Sequence, residues 1–194
     1  MMQGSKTVVA TPRIPGVEGI WVFIGADLCF FGMLFVSFML GRREAPELYE
    51  AGRQTLDVNL GGLNTLLLLT SSWFVVRALE AAREGRYAQL RPWLLAALTC
   101  GAAFGVSKAV EYGHKLAVGI TPASSEFYMY YFVLTGLHMT HVIAGSIVLL
   151  VLWKQARGAG EGLPRMTVLE CGATYWHMVD LLWIFLFPLL YLMR

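Results

Sequence analysis

Five long apolar stretches, separated by short polar breaks, run the length of the chain. They span about Val17 to Leu40, Leu60 to Leu79, Pro92 to Val118, Phe127 to Trp153 and Val168 to Met193. Each supplies the roughly 20 mostly apolar residues that a helix needs to cross a bilayer. None shows the apolar–polar alternation of a membrane barrel. The breaks carry Gly, Pro and charge. Between the first two stretches, GRREAPELYEAGRQTLDVN reads as a loop with at most one surface turn. The linkers AAREGRYAQLR, GITPASSE and KQARGAGEGLPR are short, which predicts antiparallel neighbours. The expected fold is all-α: residues 17–194 as a polytopic bundle of five transmembrane helices, preceded by a flexible cytoplasmic tail over residues 1–16. The first fifteen residues hold Pro12 and Pro15 and no apolar run, so no cleavable signal is expected and the first span itself should direct insertion.

Composition agrees with lipid as the solvent. Of 194 residues, 57% are hydrophobic and 14% charged, too few polar groups to cover a water-soluble domain of this size. A net charge of +2 without any Lys/Arg run argues against a nucleic-acid partner. Cys29, Cys100 and Cys171 are scattered among apolar neighbours and read as small core residues, with no disulfide or zinc pattern. Lys and Arg are more numerous on the side holding the N-terminal tail and the second and fourth connections than on the other, nine against five. Positive charge favours the cytoplasm, so the N-terminus is expected there and the C-terminus in the periplasm.

Ionisable groups within the bilayer cost several kcal/mol, roughly, unless paired or solvated, so they are the functional candidates. At about 1.5 Å per residue, Asp27 lies mid-span in the first stretch, as do His138 and His141 in the fourth and His177 and Asp180 in the fifth. Both fourth- and fifth-stretch pairs are spaced i to i+3, on one helix face. A buried polar cluster of two carboxylates and three imidazoles is the expectation, with Asp27 as an acid lacking a partner on its own helix. Such groups relay protons or hydrogen-bond across helices. Three imidazoles also suit a metal, but Gly136, Thr140 and Gly145 nearby favour close packing, and no metal is expected. Lys108 and Glu111 read as an interfacial ion pair ending the third helix, with Lys108 able to snorkel. Asn64, Ser71 and Ser72 read as helix-packing polar groups, and Gly61-Gly62, Gly101, Gly105 and Gly145 as sites of close backbone approach. Of the tryptophans, Trp93 and Trp153 are expected at the interface and the others buried.

Five segments, in this order, resemble subunit III of the haem-copper oxidases: WVFIGADLCFFG (Trp21 to Gly32), LNTLLLLTSS (Leu63 to Ser72), KAVEY (Lys108 to Tyr112), TGLHMTHVIAG (Thr135 to Gly145) and ECGATYWHMVDLLW (Glu170 to Trp183). The segment LYEAGRQTLDVNLGGLNTLLLLTSSWFVVRAL is most similar to the short accessory protein associated with nitric oxide reductase. The resemblance implies a non-catalytic accessory subunit in the bacterial cytoplasmic membrane that supports assembly, stability or proton supply. It implies no cofactor on this chain, haem and copper or non-haem iron in a catalytic partner subunit, and phospholipid as a further ligand. Asp27 takes the place where long members carry a buried Glu. Seven-helix members have two further helices and a lipid-holding cleft; with five spans here, that lipid does not carry over, and a partner peptide could fill the gap. The competing expectation is an independent proton-conducting or small-solute transporter, disfavoured by the lack of internal repeats and broken helices.

Overall fold

The structure, a computed structural model, describes residues 16–156 and 164–193. Nearly all of the described chain is helical: α1 (Glu18–Glu44), α2 (Pro46–Gln54), α3 (Val58–Arg83), α4 (Tyr87–Ala117), α5 (Glu126–Gln155) and α6 (Met166–Phe187), which continues into a π-helical turn, Pro188–Leu192. Five helices are long and apolar enough to cross a membrane. The tail assigned to residues 1–16 lies, except for Gly16, outside the described residues.

Helices α3, α4, α5 and α6 pack as a ring, and α1 lies against its α5–α6 edge. The burial follows that order. Half of the apolar core of α6 is enclosed, but only 17% of that of α1, whose Val22, Phe30, Met33, Val36 and Leu40 face outward. Local chemistry sets the ends. Asp57 Oδ1 accepts from the backbone N–H groups of Asn59 and Leu60, satisfying two of the donors that open α3. Ser125 caps α5 through Tyr128 N–H. Gly85 and Gly119, at φ +71° and +80°, allow the left-handed turns that follow α3 and α4. Asp57→Ala is expected to cost about 1 kcal/mol and Asp57→Asn almost nothing, because Asn caps as well as Asp; thermal unfolding in detergent measures both.

The segment after the first span departs from expectation: it forms α2, two and a half turns long, and α1 itself runs on to Glu44. A helix this short is marginal alone. Here Pro46 opens it and Arg53 binds Glu50 with both Nε (2.8 Å) and Nη2 (2.5 Å). These bonds, with one from Gln54, hold the Glu50 carboxyl down at about 2. Tertiary packing does the rest: Tyr49 sits edge-on to Phe38 and Phe127, and the Phe127 ring fills the space a side chain at Gly52 would need.

The glycines also differ from expectation. Gly101 and Gly145 leave room for the indole of Trp176, whose ring atoms lie 2.9 and 2.7 Å from where their Cβ atoms would be, and Gly61 does the same for Phe187. They accommodate aromatic rings, whereas Gly62 and Gly105 face open space. Trp176 and Trp183 are buried, but Trp21 and Trp73 are exposed on the outer surface of the bundle. Trp93 and Trp153 lie beneath the Arg77 and Arg91 guanidinium groups.

Candidate functional site

At the end of the bundle that carries α2, Lys108 and Glu111 of α4 meet Tyr131 of α5 and Tyr191 of the π turn. Lys108 Nζ donates to Glu111 Oε2 at 2.8 Å and to the Tyr131 and Tyr191 hydroxyls at 3.1 Å each. Both phenols donate in turn to Glu111 Oε1, at 2.7 and 2.8 Å. All three ammonium protons and both carboxylate oxygens are therefore engaged. The rings of Tyr131 and Trp183 lie 5.0 and 5.5 Å from Nζ and present their electron-rich faces to the charge. Lys108 has 0% exposure and Glu111 8%, which corrects the expectation of an interfacial pair with a snorkelling lysine. Two and a half turns in from the end of α4 at Ala117, a lysine on the ring-facing side points inward, and its length reaches Tyr131 of α5 and Tyr191 beyond α6 instead of the headgroups.

Tyr191 reaches Glu111 because of Pro188. Proline has no N–H to continue the α-helical ladder; the backbone widens into an i to i+5 turn closed by Met193 N–H on Pro188 O. Tyr112 O–H and Thr135 Oγ1, 2.5 Å apart, extend the polar layer sideways.

The mid-bundle residues divide among several places. Asp27 of α1 meets His141 of α5, Oδ1 to Nε2, at 3.2 Å, so its partner comes from another helix. His141 Nδ1 lies 2.8 Å from Leu137 O. A carbonyl only accepts, so Nδ1 is the donor there and Nε2 is left to face the Asp27 carboxyl, with both side chains only 13 to 16% exposed. His177 of α6 bonds Ser72 of α3 through Nδ1 at 2.6 Å. Ser71 donates to Ala97 O and accepts from Trp176 Nε1, and Thr65 accepts from Trp183 Nε1. These hydrogen bonds stitch α3 to α4 and α6. No group of three or more His, Cys, Asp or Glu among the described residues is disposed to hold a metal.

Asn64, His138 and Asp180 are buried, and none of their side-chain N and O atoms has a hydrogen-bond partner among the described residues. The His138 ring is packed between Phe104 and Trp183, at 5.6 and 5.2 Å between centroids. Asp180 precedes Trp183 by one turn of α6. Each such group costs of the order of 1–3 kcal/mol if left bare. Chemically they can donate, accept or carry a proton in the interior.

Sequence reasoning missed Tyr131, Tyr191, Thr65 and the polar roles of Trp176 and Trp183. Tyr131 was within reach, since Tyr131, Thr135, His138 and Val142 follow one helical face. For Tyr191 there is no local signal.

A ring of four spanning helices with a fifth on its edge, with the Lys108–Glu111 pair and the Asp27–His141 contact held between helices, defines a polytopic membrane protein. The comparisons give the family: the family model described as cytochrome c oxidase subunit III matches residues 2–194, and the chain belongs to that family. It is 32% identical to quinol oxidase subunit 3 of Bacillus subtilis, over 91% of this chain and 86% of the relative. It is 31% identical to cytochrome bo(3) ubiquinol oxidase subunit 3 of Pseudomonas aeruginosa, over 91% and 84%, and 30% identical to cytochrome c oxidase subunit 3 of Corynebacterium diphtheriae, over 98% of each.

Proposed function

We propose that the chain is a non-catalytic accessory subunit of a haem-copper respiratory oxidase in the bacterial cytoplasmic membrane, packed beside a catalytic subunit that carries the haem and copper. The observation that carries this reading is the family match over residues 2–194, from the first span to the last. Within the spans, His141 is engaged at both ring nitrogens, His177 bonds Ser72 through Nδ1, and His138 is enclosed by aromatic rings with 0% exposure. Stability, assembly or proton supply is the contribution open to such a bundle, with Asp27–His141 as the protonatable pair on the α1 edge. The charge bias puts the N-terminus in the cytoplasm, and so the α2 end at the periplasmic surface.

Purification of the full chain from its native membrane in mild detergent tests the reading. A haem-containing partner is expected to copurify, and the isolated chain is expected to show no haem spectrum. Stoichiometric haem on the isolated chain would overturn it. Oxygen consumption by the copurified complex is expected; nitric oxide reduction in its place would assign the chain to the nitric oxide reductase type that the Leu48 to Leu79 segment resembles. Proton flux through the pure chain in liposomes, abolished by Asp27→Asn, would instead favour an independent conductor.

A further inference from the structure

Beside the Lys108 network a second feature has no role in the reading above. A cavity of about 340 Å³ opens between the start of α3 and the end of α4, walled by Asp57, Leu60, Val110, Glu111, His114 and Lys115. Its charges are unequal in what they have left to bind. Glu111 is saturated by Lys108 and the two phenols. Lys115 is only 5% exposed, yet no carboxylate among the described residues lies within ion-pair distance of its ammonium; its one hydrogen bond, to Thr55 O, is long at 3.4 Å. The Tyr128 and Tyr131 rings, 5.8 and 5.4 Å away, cover one side of it. Asp57 spends Oδ1 on the α3 cap and is otherwise exposed. The free chemistry is thus one enclosed cation, one carboxylate oxygen and the exposed His114 imidazole, with exposed Val110 and part-exposed Leu60 on the same walls.

We propose that this cavity is a headgroup site for a zwitterionic amine phospholipid of the phosphatidylethanolamine class. The phosphate pairs with Lys115, the headgroup ammonium with Asp57, and the acyl chains run down past Leu60 and Val110 along the outside of α3 and α4. The site lies at the ends of two spanning helices, the depth at which headgroups sit. A charge-assisted bond to phosphate supplies what Lys115 lacks, and the nearby carboxylate selects an amine-bearing headgroup over a purely anionic one. The assignment is independent of which respiratory complex the chain joins.

Native mass spectrometry of the delipidated full chain, with phosphatidylethanolamine or phosphatidylglycerol added at equal concentration, tests it. The amine lipid is expected to bind about tenfold more tightly, corresponding to one differential charge contact. Lys115→Gln is expected to weaken it by about tenfold or more. Asp57→Asn keeps the helix cap and is expected to abolish the preference between the two lipids, a readout that stands even if Lys115→Gln fails to fold. Equal binding of both lipids by the unmodified chain, an unchanged preference in Asp57→Asn, or displacement of the lipid by inorganic phosphate at matched concentration, which would mark a soluble-anion site, overturns the proposal.

Discussion

Glu111→Leu is expected to destabilise the bundle by about 3–5 kcal/mol, the cost of stranding one member of a buried ion pair. The Lys108 ammonium, with 0% exposure, would keep only the two phenols, and those would lose their shared acceptor. The diagnostic comparison is the double variant Lys108→Met with Glu111→Leu, which removes both charges and replaces them with apolar bulk. It is expected to be more stable than Glu111→Leu alone, with a coupling of roughly 0.5–3 kcal/mol in a double-mutant cycle. Unfolding by heat or by denaturing detergent provides the measurement. Additive losses would mean that the two charges do not depend on each other.

Trp176→Ala is expected to cost a similar amount, about 3–5 kcal/mol, through a different cause. The indole fills the space left by Gly101 on α4 and Gly145 on α5, and its Nε1–H donates to Ser71 on α3 at 3.1 Å. One side chain on α6 therefore joins the other three helices of the ring. In a bilayer, association of helices relies on packing and interhelical hydrogen bonds, since lipid tails are as apolar as the side chains they replace. A void at this place removes contacts to three helices together. Trp176→Phe separates the contributions: it retains most of the ring and loses the donor, and is expected to cost about 1 kcal/mol. If Phe is as damaging as Ala, the hydrogen bond and not the packing dominates.

Several features were legible from residue order. The five spans appear where the apolar stretches place them, within a few residues, because hydrocarbon admits little but a helix whose backbone bonds are internal. Lys108 and Glu111 are paired as their i to i+3 spacing suggests. The direction of the pair was not legible, since whether a lysine snorkels or turns inward depends on what stands at its helix face, and Tyr191 arrives there from 83 residues away. The single mid-membrane cluster was read from depth alone. Equal depth sets height in the bilayer but not azimuth around each helix. Asp27 and His141 meet at the α1–α5 edge, His177 turns to Ser72 on α3, and His138 is enclosed among rings. In the same way α2 looked like a loop because its stability comes from Phe38 and Phe127, on other helices.

The sequence by itself determined the solvent, the number of spans and, through five motifs, the family, because hydropathy and local spacing act within one helix and need no partner to be read. Tertiary structure alone decided which polar groups meet. It saturated Glu111 and left Lys115 without a carboxylate, paired Asp27 with His141, and set Trp176 into the gaps of two glycines. Those outcomes rest on the rotation of each helix about its own axis and on which helix lies next to which, two quantities fixed by packing the whole ring at once.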